Sequence, residues 1–524
     1  MRLWEIIDNA AAARPGEVAL VDGDRRLRFV DLADQVHELA AALAPLTSKG
    51  DRIAIVADNC TAYVAALYAV PLAGGVLVHG NTRHTSGELT AMFRRCGARV
   101  LLATAEQLSR FDADGPNMLV EAGVVHVVCI DDSAGPLSPA AESIDGLAAA
   151  STAVPAGDAT ESDMAWLLYT SGTTGRPKGA MLTHRSVIAA ALNTTMARPV
   201  AEDEVYLFPF PLFHVAAYNV IHHHLRQRPV VLLPRFEPSA ALSIIEAESV
   251  TSVSLAPTML AMLLDHPDRH RHDLSSLRTV SYGAAAMPLD VMRRSLAELP
   301  HVGLAQGYGM TELSGNAAFL SPEDHRRAAD DDPELLTAAG RPAPMTALRI
   351  VDESGAEVEP GAPGEILVSG DQVCAGYYDD PEATAAAIVD GWLHTGDVGR
   401  IDRRGYLHVV DRLKDIIITG GENVSSREVE DAVGTHPGVQ AVAVVGTPDD
   451  KWGELVVAVV VPTRADSVPT VEELRDACRH LAGFKHPRAV LSTDELPTNA
   501  SGKVDKVAVR KDAARFVGAQ SPQG

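Results

Sequence analysis

The sequence has few cysteines and no close pair of them. Cys60, Cys96, Cys129, Cys374 and Cys478 are scattered, odd in number, and none forms a C-x-x-C unit. That argues against a disulfide framework or a zinc knuckle and favours a reducing cytoplasm. A cationic surplus is also lacking. Against 69 Asp+Glu stand 45 Lys+Arg, a formal charge of −24. Non-specific nucleic-acid binding and docking on anionic membranes need the opposite balance, so an anionic ligand must be met by a local basic site. The N-terminus, MRLWEIIDNAAAARPGE, has acids at Glu5 and Asp8 and no long apolar core, unlike a signal peptide. From Cys60 to Val78 there is no charge, but Pro71, Gly74 and Gly75 interrupt the run. A buried helix followed by a strand is expected there rather than a membrane span. No short-period repeat is present, which excludes a solenoid.

What is present is a sizeable core: 46% hydrophobic and 22% charged residues over a chain of 524. Short apolar runs alternate with helical patterns. RIAIV (52–56), VVHVVCI (124–130), PVVLL (229–233), TSVSL (251–255) and RTVSYG (278–283) read as buried strands. Helices are expected near 61–72, from Pro257 and from Pro288. The alternation predicts an α/β fold of mostly parallel sheets flanked by helices. After about residue 340, GEILVSG and GYLHVV between Gly-rich turns suggest a β-rich subdomain, about 340–411. A compact α+β unit follows, 412–524, in which TVEELRDACRHLAG is amphipathic with Thr470 as its N-cap. The expected organisation is a large N-terminal domain, 1–411, and a small C-terminal domain.

The densest chemistry lies in YTSGTTGRPKGAMLTH, 169–184. An apolar run leads into Thr170, Ser171, Thr173 and Thr174, the glycines Gly172, Gly175 and Gly179, and Lys178. Glycine lets backbone N–H groups face an anion, hydroxyls add donors and the lysine adds charge, which is the chemistry of a polyphosphate cradle. It is not a Walker loop, because Pro177 stands where that pattern needs glycine. Downstream follow SYGAAAMP (281–288), QGYGMTE (306–312), GWLHTGD (391–397), DRLKDIIITGGENVSSREVE (411–430) and PTNASGKVDK (497–506). Glu312 is a suitable magnesium carboxylate with the Thr311 hydroxyl beside it. Asp397, at the end of a turn, can accept from both hydroxyls of a ribose.

In this order the motifs resemble those of the adenylate-forming superfamily, which includes acyl-CoA synthetases, luciferases and peptide-synthetase adenylation domains. The resemblance spans essentially the whole chain and is greatest to bacterial acyl-CoA synthetases. It implies ATP and Mg²⁺ as cofactors and coenzyme A as a substrate. Thr170 to Gly175 would cradle phosphates with Lys178. Gly283, Ala284 and Ala285 would pack on adenine, beside Tyr308 and Gly309. Thr311 and Glu312 would hold the α-phosphate region and magnesium, and Asp397 with Arg412 the ribose. Lys503 would swing in with a mobile small domain to bridge the acyl carboxylate and phosphate, turning at Lys414. Gly420 and Gly421 would line the pantetheine channel in the rotated state. His214, in PFPLFHVAAYN, borders the acyl and pantetheine pockets in relatives, with plain packing as the ordinary alternative.

The expected activity is an acyl-CoA synthetase. A carboxylic acid becomes acyl-AMP with loss of pyrophosphate, and the acyl group then passes to CoA with loss of AMP. The alternative is transfer to a carrier-protein thiol. No carrier domain is visible, and DRLKDIIITGGEN lacks the insertion common in fatty-acyl-AMP ligases. Luciferase-like oxidation and an ATP-sensing module are weaker alternatives, the latter because Lys178, Glu312, Asp397 and Lys503 are all present. No nucleic-acid partner is expected, and a homodimer is the default for bacterial relatives. Two histidine groups, His222–His224 and His266, His270 and His272, read as solvated or incidental helix positions rather than metal sites, and Lys506 as a solvated side chain. An Ala-, Arg- and Val-rich, Lys-poor composition points to a GC-rich bacterial genome.

Overall fold

Branched apolar residues at Arg52–Val56, Val76–His79 and Ala98–Ala103 give strands buried on both faces, which is why they read as runs rather than alternations. In the computed structural model, which describes residues 1–115, 117–131, 141–143, 157–170, 177–283, 285, 287–449, 451–464, 467–499 and 503–520, they belong to a seven-stranded sheet. Its order is Ala141–Ser143, His126–Cys129, Ala98–Ala103, Arg52–Val56, Val76–His79, Met164–Thr170, Lys178–Thr183, and all neighbours are parallel except the last pair. A second sheet has nine strands. Its parallel centre runs Gly303–Met310, Thr279–Gly283, Ser252–Leu255, Tyr206–Phe208, Val230–Leu232, Val18–Asp22, and antiparallel strands close both ends.

The uncharged run is a helix, Thr61–Leu72, buried on nearly every side, followed by the strand Val76–His79. It packs in a core with Phe29, Trp166 and Tyr206. Pro71 sits in its last turn, where the helix ends, and Gly74 takes a positive φ that turns the chain into the strand. No helix among the described residues is long and apolar enough to cross a membrane.

The chain divides into two compact units, Met1–Leu348 with Val368–Leu393, and Arg349–Leu367 with His394–Gly524. The larger holds the two sheets just described. The smaller contains strand Leu407–Arg412 and, paired in the same β-sheet, residues 364–367 of strand Gly364–Ser369 and 394–401 of strand Trp392–Ile401. It also contains a five-stranded sheet of Glu422–Val424, Ile417–Thr419, Gly453–Pro462, Val439–Asp449 and Ala489–Ser492. Helix Ser426–Val433 packs on the latter through Val429, Ala432 and Val433. Thr470 caps a helix as expected, its side chain accepting from Glu473 N. That helix stops at Ala477 rather than continuing through Gly483, with Cys478 as its C-cap.

Two expectations about exposure are corrected. His222, His223 and His224 are 0% exposed, not solvated. Each finds a partner: Thr195 Oγ1, Glu204 and Tyr68 OH respectively. Lys506 is not free in solvent either. Its Nζ lies 2.8 Å from Glu430 and 2.6 Å from Ser426 Oγ. Both departures arise from contacts distant in sequence, which local patterning does not encode.

Candidate active site

The glycine- and hydroxyl-rich segment is the connection of an antiparallel pair, Met164–Thr170 with Lys178–Thr183, in which Thr170 stands opposite Lys178. Of the expected phosphate residues, Ser171, Gly172, Thr173, Thr174 and Gly175 lie outside the described residues, as does Ala284. Thr170 and Lys178 mark the two ends of the connection, and both are half-buried. The Lys178 strand is bordered by residues 374–378: Met181 N donates to Gly376 O, and Tyr378 N to Gly179 O.

That border carries a residue the sequence reading missed. Tyr377 OH donates to Glu312 Oε1 at 2.9 Å, and Lys178 Nζ sits 4.9 Å from the centroid of the same ring. One aromatic side chain thus joins the lysine of the first motif to the carboxylate of the third. The backbone reinforces this, since Cys374 N donates to Glu312 O at 2.8 Å. Burial, and then the Glu312 charge, push the Tyr377 phenol far above its usual range, so it remains a donor at every physiological pH. The available signal was AGYYDDP, a glycine followed by paired tyrosines before an acidic turn.

Thr311 and Glu312 form a short 3-10 turn after strand Gly303–Met310. Glu312 is half-buried, with one oxygen on Tyr377. No cluster of three or more metal-ligating side chains occurs among the described residues. A single carboxylate fits magnesium, which keeps water and phosphate oxygens as its other ligands. Next to this turn, Tyr308 and Gly309 end the strand. Gly283 closes the neighbouring strand, with Gly283 opposite Gly307. A Cβ on Gly283 would lie 2.6 Å from Gly307 O, and one on Gly309 2.0 Å from Gly315 O. Both glycines are demanded by backbone approaching backbone. Ala285 is exposed just beyond. His214 is half-buried at the start of a short turn, its ring 4.7 Å from Phe213.

In the smaller unit, three further expected residues come together. Asp397 and Arg412 are opposite one another on paired strands, with Arg412 Nε 2.8 Å from Asp397 Oδ1. Asp397 is buried. The turn before it is fixed by Glu365, which takes His394 Nδ1 at 2.8 Å and Gly396 N at 3.1 Å. Asn499 and Lys503 exchange two bonds: Asn499 N donates to Lys503 O and Lys503 N to Asn499 Oδ1. Desolvation, and then Arg412, hold the Lys503 ammonium below the usual lysine range, with Asp397 opposing. Lys414 is exposed on a one-turn segment whose carbonyl accepts from Arg510. Gly420 and Gly421 form a two-residue hairpin turn, both at positive φ, between Ile417–Thr419 and Glu422–Val424.

Comparison with known proteins follows the same division. A family described as AMP-binding enzyme matches residues 7–378, and one described as AMP-binding enzyme C-terminal domain matches residues 428–503. A feruloyl-CoA synthase of an Amycolatopsis species is 40% identical over 506 residues, covering 96% of this chain and 97% of that protein. A Mycobacterium tuberculosis CoA ligase, named for a methyl-dioxo-octahydroindenyl propanoyl group, is 37% identical over 515 residues, covering 96% and 97%. Among solved structures, the amide bond synthetase McbA from Marinactinospora thermotolerans superposes with TM-score 0.86 at 33% identity, covering 97% of this chain and 99% of that one. O-succinylbenzoate coenzyme A synthetase from Bacillus subtilis, in complex with ATP and magnesium, gives TM-score 0.82 at 29% identity, covering 98% and 99%.

Proposed function

Because the chain belongs to the AMP-binding enzyme family, we propose that it is an AMP-forming acid–thiol ligase that makes an acyl-CoA in two half-reactions. The acid is, on this reading, a ring-bearing carboxylic acid, supported by the acyl groups for which the two named ligase relatives are called. The observation that carries the proposal is the Lys178–Tyr377–Glu312 arrangement at the foot of the hydroxyl-rich connection.

A carboxylate is a poor electrophile, since attack on it would have to expel oxide. Its oxygen instead attacks the α-phosphorus of ATP. A new P–O bond forms, the bond to the β-phosphate bridging oxygen breaks, and pyrophosphate leaves. Two anions meet in that step, so fixed donors and cations must neutralise the developing charge. Lys178 and the hydroxyls of Thr170 to Thr174 do so at the phosphates, with the small residues Gly283, Ala284 and Ala285 and the Tyr308 ring against the purine. Gly309 lets the Thr311–Glu312 turn come close. Magnesium, held by Glu312, supplies charge neutralisation at the phosphates when bound. Asp397 and Arg412 hold the ribose. Lys503 bridges the carboxylate and phosphate and is withdrawn afterwards by a turn near Lys414. In the second half-reaction the CoA sulfur, its proton lost to solvent, attacks the acyl carbonyl, and the carbonyl–phosphate C–O bond breaks to release AMP. Gly420 and Gly421 leave room for the pantetheine arm, and His214 borders the acyl end. On this proposal the enzyme works in the cytoplasm.

The test is a coupled assay with ATP, magnesium and ring-bearing acids, with pyrophosphate and AMP followed with and without CoA. Pyrophosphate release followed by CoA-dependent AMP release and thioester formation is expected. Pyrophosphate release with transfer only to an amine or to a carrier-protein thiol would overturn CoA as the acceptor.

A further inference from the structure

The sheet that carries Gly283 has one unusual face. Ser254 lies opposite Ser281, Ser281 opposite Ala305, and Gly283 opposite Gly307. Because side chains alternate along a strand, Ser252, Ser254, Ser281, Ala305, Gly283 and Gly307 share this face, while Val253, Leu255, Val280 and Leu304 share the other. Parallel strands covered on both sides are ordinarily apolar on both. Serine, alanine and glycine here line the face with hydroxyls and small side chains.

Two side chains from the overlying helices are incompletely bonded there. Arg198 follows helix His184–Ala197. Its Nη1 donates to Ser281 Oγ, but its Nη2 is buried with no partner. His222, on helix Tyr218–Leu225, is 0% exposed, and its Nε2 has no partner. The hydrogen-bond network fixes its tautomer. Thr195 Oγ1 gives its one proton to Ala191 O at 2.9 Å, so it can only accept from His222 Nδ1, also at 2.9 Å. Burial, and then His223 and Arg198, hold the ring neutral, which leaves Nε2 as a bare acceptor. The remaining polar groups are satisfied: Glu204 takes His223 Nε2 at 3.1 Å and Ser252 Oγ at 2.7 Å, and Tyr206 OH donates to Ser254 Oγ. Although burial raises the Glu204 carboxyl, His223, Ser252 and Arg198 outweigh it and hold it at about 2. Glu204 is therefore ionised, and the Arg198 charge acts on it. A second buried anion would have no counter-charge.

We propose that this serine-lined face is the far wall of the acyl site, and that the acid carries an uncharged oxygen, hydroxyl or keto, at the end remote from its carboxyl, bound by Arg198 Nη2. A hydroxyl additionally gives its proton to His222 Nε2. This rests on the ligase reading and deepens it. Gly283, at the strand end where the nucleotide would lie, is two residues from Ser281 on the same face, about 7 Å along the strand, a span in which a ring fits between the two ends of the acid.

The test uses pairs of ring-bearing acids that differ only in a remote hydroxyl or keto group against hydrogen, with ATP and magnesium, followed by pyrophosphate release. Wild-type protein should favour the oxygenated member by about 10- to 100-fold in kcat/KM, because the analogue leaves buried groups unpaired. Arg198→Met should abolish that preference, through KM for the oxygenated member. His222→Phe should weaken hydroxyl acids and spare keto acids. Ser281→Ala, which only frees the guanidinium, should lower the preference in part and serves if Arg198→Met does not fold. Equal use of both members by the wild type, or equal loss of both in Arg198→Met with ATP affinity unchanged, would overturn the proposal. So would a preference for a remote carboxylate. If no acid releases pyrophosphate, the ligase reading itself fails. Release without discrimination overturns only the remote-oxygen site.

Discussion

Tyr377 binds one oxygen of Glu312 through its hydroxyl and faces Lys178 with its ring, so its two contacts can be separated by substitution. Tyr377→Phe keeps the ring and loses the 2.9 Å bond. It should raise the magnesium needed for half-maximal pyrophosphate release roughly tenfold, since a hydrogen bond to a charged group is worth about 1.5–3 kcal/mol, with little change in melting temperature. Tyr377→Leu loses both contacts and should in addition weaken ATP binding. A magnesium titration identical to wild type for Tyr377→Phe would show that the bond does not orient Glu312. Lys503 supports a second experiment. Lys503→Ala should slow acyl-AMP formation by about 10²- to 10³-fold, the usual cost of losing a charge-stabilising donor, while thioester formation from supplied acyl-AMP survives. Desolvation and Arg412 lower the lysine's pKa, and the amine is charged only below it. Adenylation should therefore fall with rising pH earlier than an ordinary lysine would dictate, and the thioester step should show no such limb. Equal loss in both half-reactions would contradict the role. Of these residues, lysine, carboxylate and threonine were legible because they stand in ordered motifs. Tyr377 and Arg198 were not, because their meaning lies in what they meet across the fold: a glutamate in one case and a bare serine face in the other.

Strands and helices were more legible than their surroundings. Thr61–Leu72 and Thr279–Gly283 form where apolar runs and flanking glycine or proline place them. The burial of the His222–His224 helix was not readable, because three polar residues in a row look solvated until Tyr68, Thr195 and Glu204 are brought to them. Glycines show the same contrast at the level of the element. At Gly309 an added Cβ would meet backbone at 2.0 Å and 2.6 Å, which no rotamer change relieves. At Gly420 it would meet only the edge of Trp452 at 3.3 Å, and the obstacle is a φ of +61°. Gly309→Ala should therefore destabilise the larger unit by more than about 4 kcal/mol, in the exceptional range. Gly420→Ala should cost the smaller unit about 1–2 kcal/mol, the left-handed penalty. Thermal denaturation of the two variants checks the order, and similar losses would show that the strand pair around Gly309 can shift.

For the molecule as a whole, the larger unit stores an acid lability. His79, His184, His222 and His224 are all buried in it. Desolvation is the leading cause in each, lowering His79 and His224 to about 3, His184 to about 4, and His222 well below its usual value. A histidine with a depressed pKa in the fold is neutral there at pH 5, whereas in the unfolded chain it is protonated below about 6.5. The unfolded state then binds more protons, so stability falls as pH drops from about 6.5 toward the folded values. At pH 5 each histidine contributes a loss of about 2 kcal/mol relative to pH 7.5. Glu204, with its pKa lowered to about 2, adds a loss of the same sign only below the ordinary carboxylate range. Urea unfolding at pH 7.5 and pH 5 tests this with tryptophan fluorescence. Trp4, Trp166 and Trp392 lie in the larger unit and Trp452 in the smaller, so a Trp452→Phe variant reports the larger unit alone. Its midpoint should fall sharply at pH 5, and His224→Gln should lessen the fall. A midpoint equal at the two pH values would mean that these imidazoles reach water, and with it the neutral, acceptor-bearing His222 beside Arg198 would be lost.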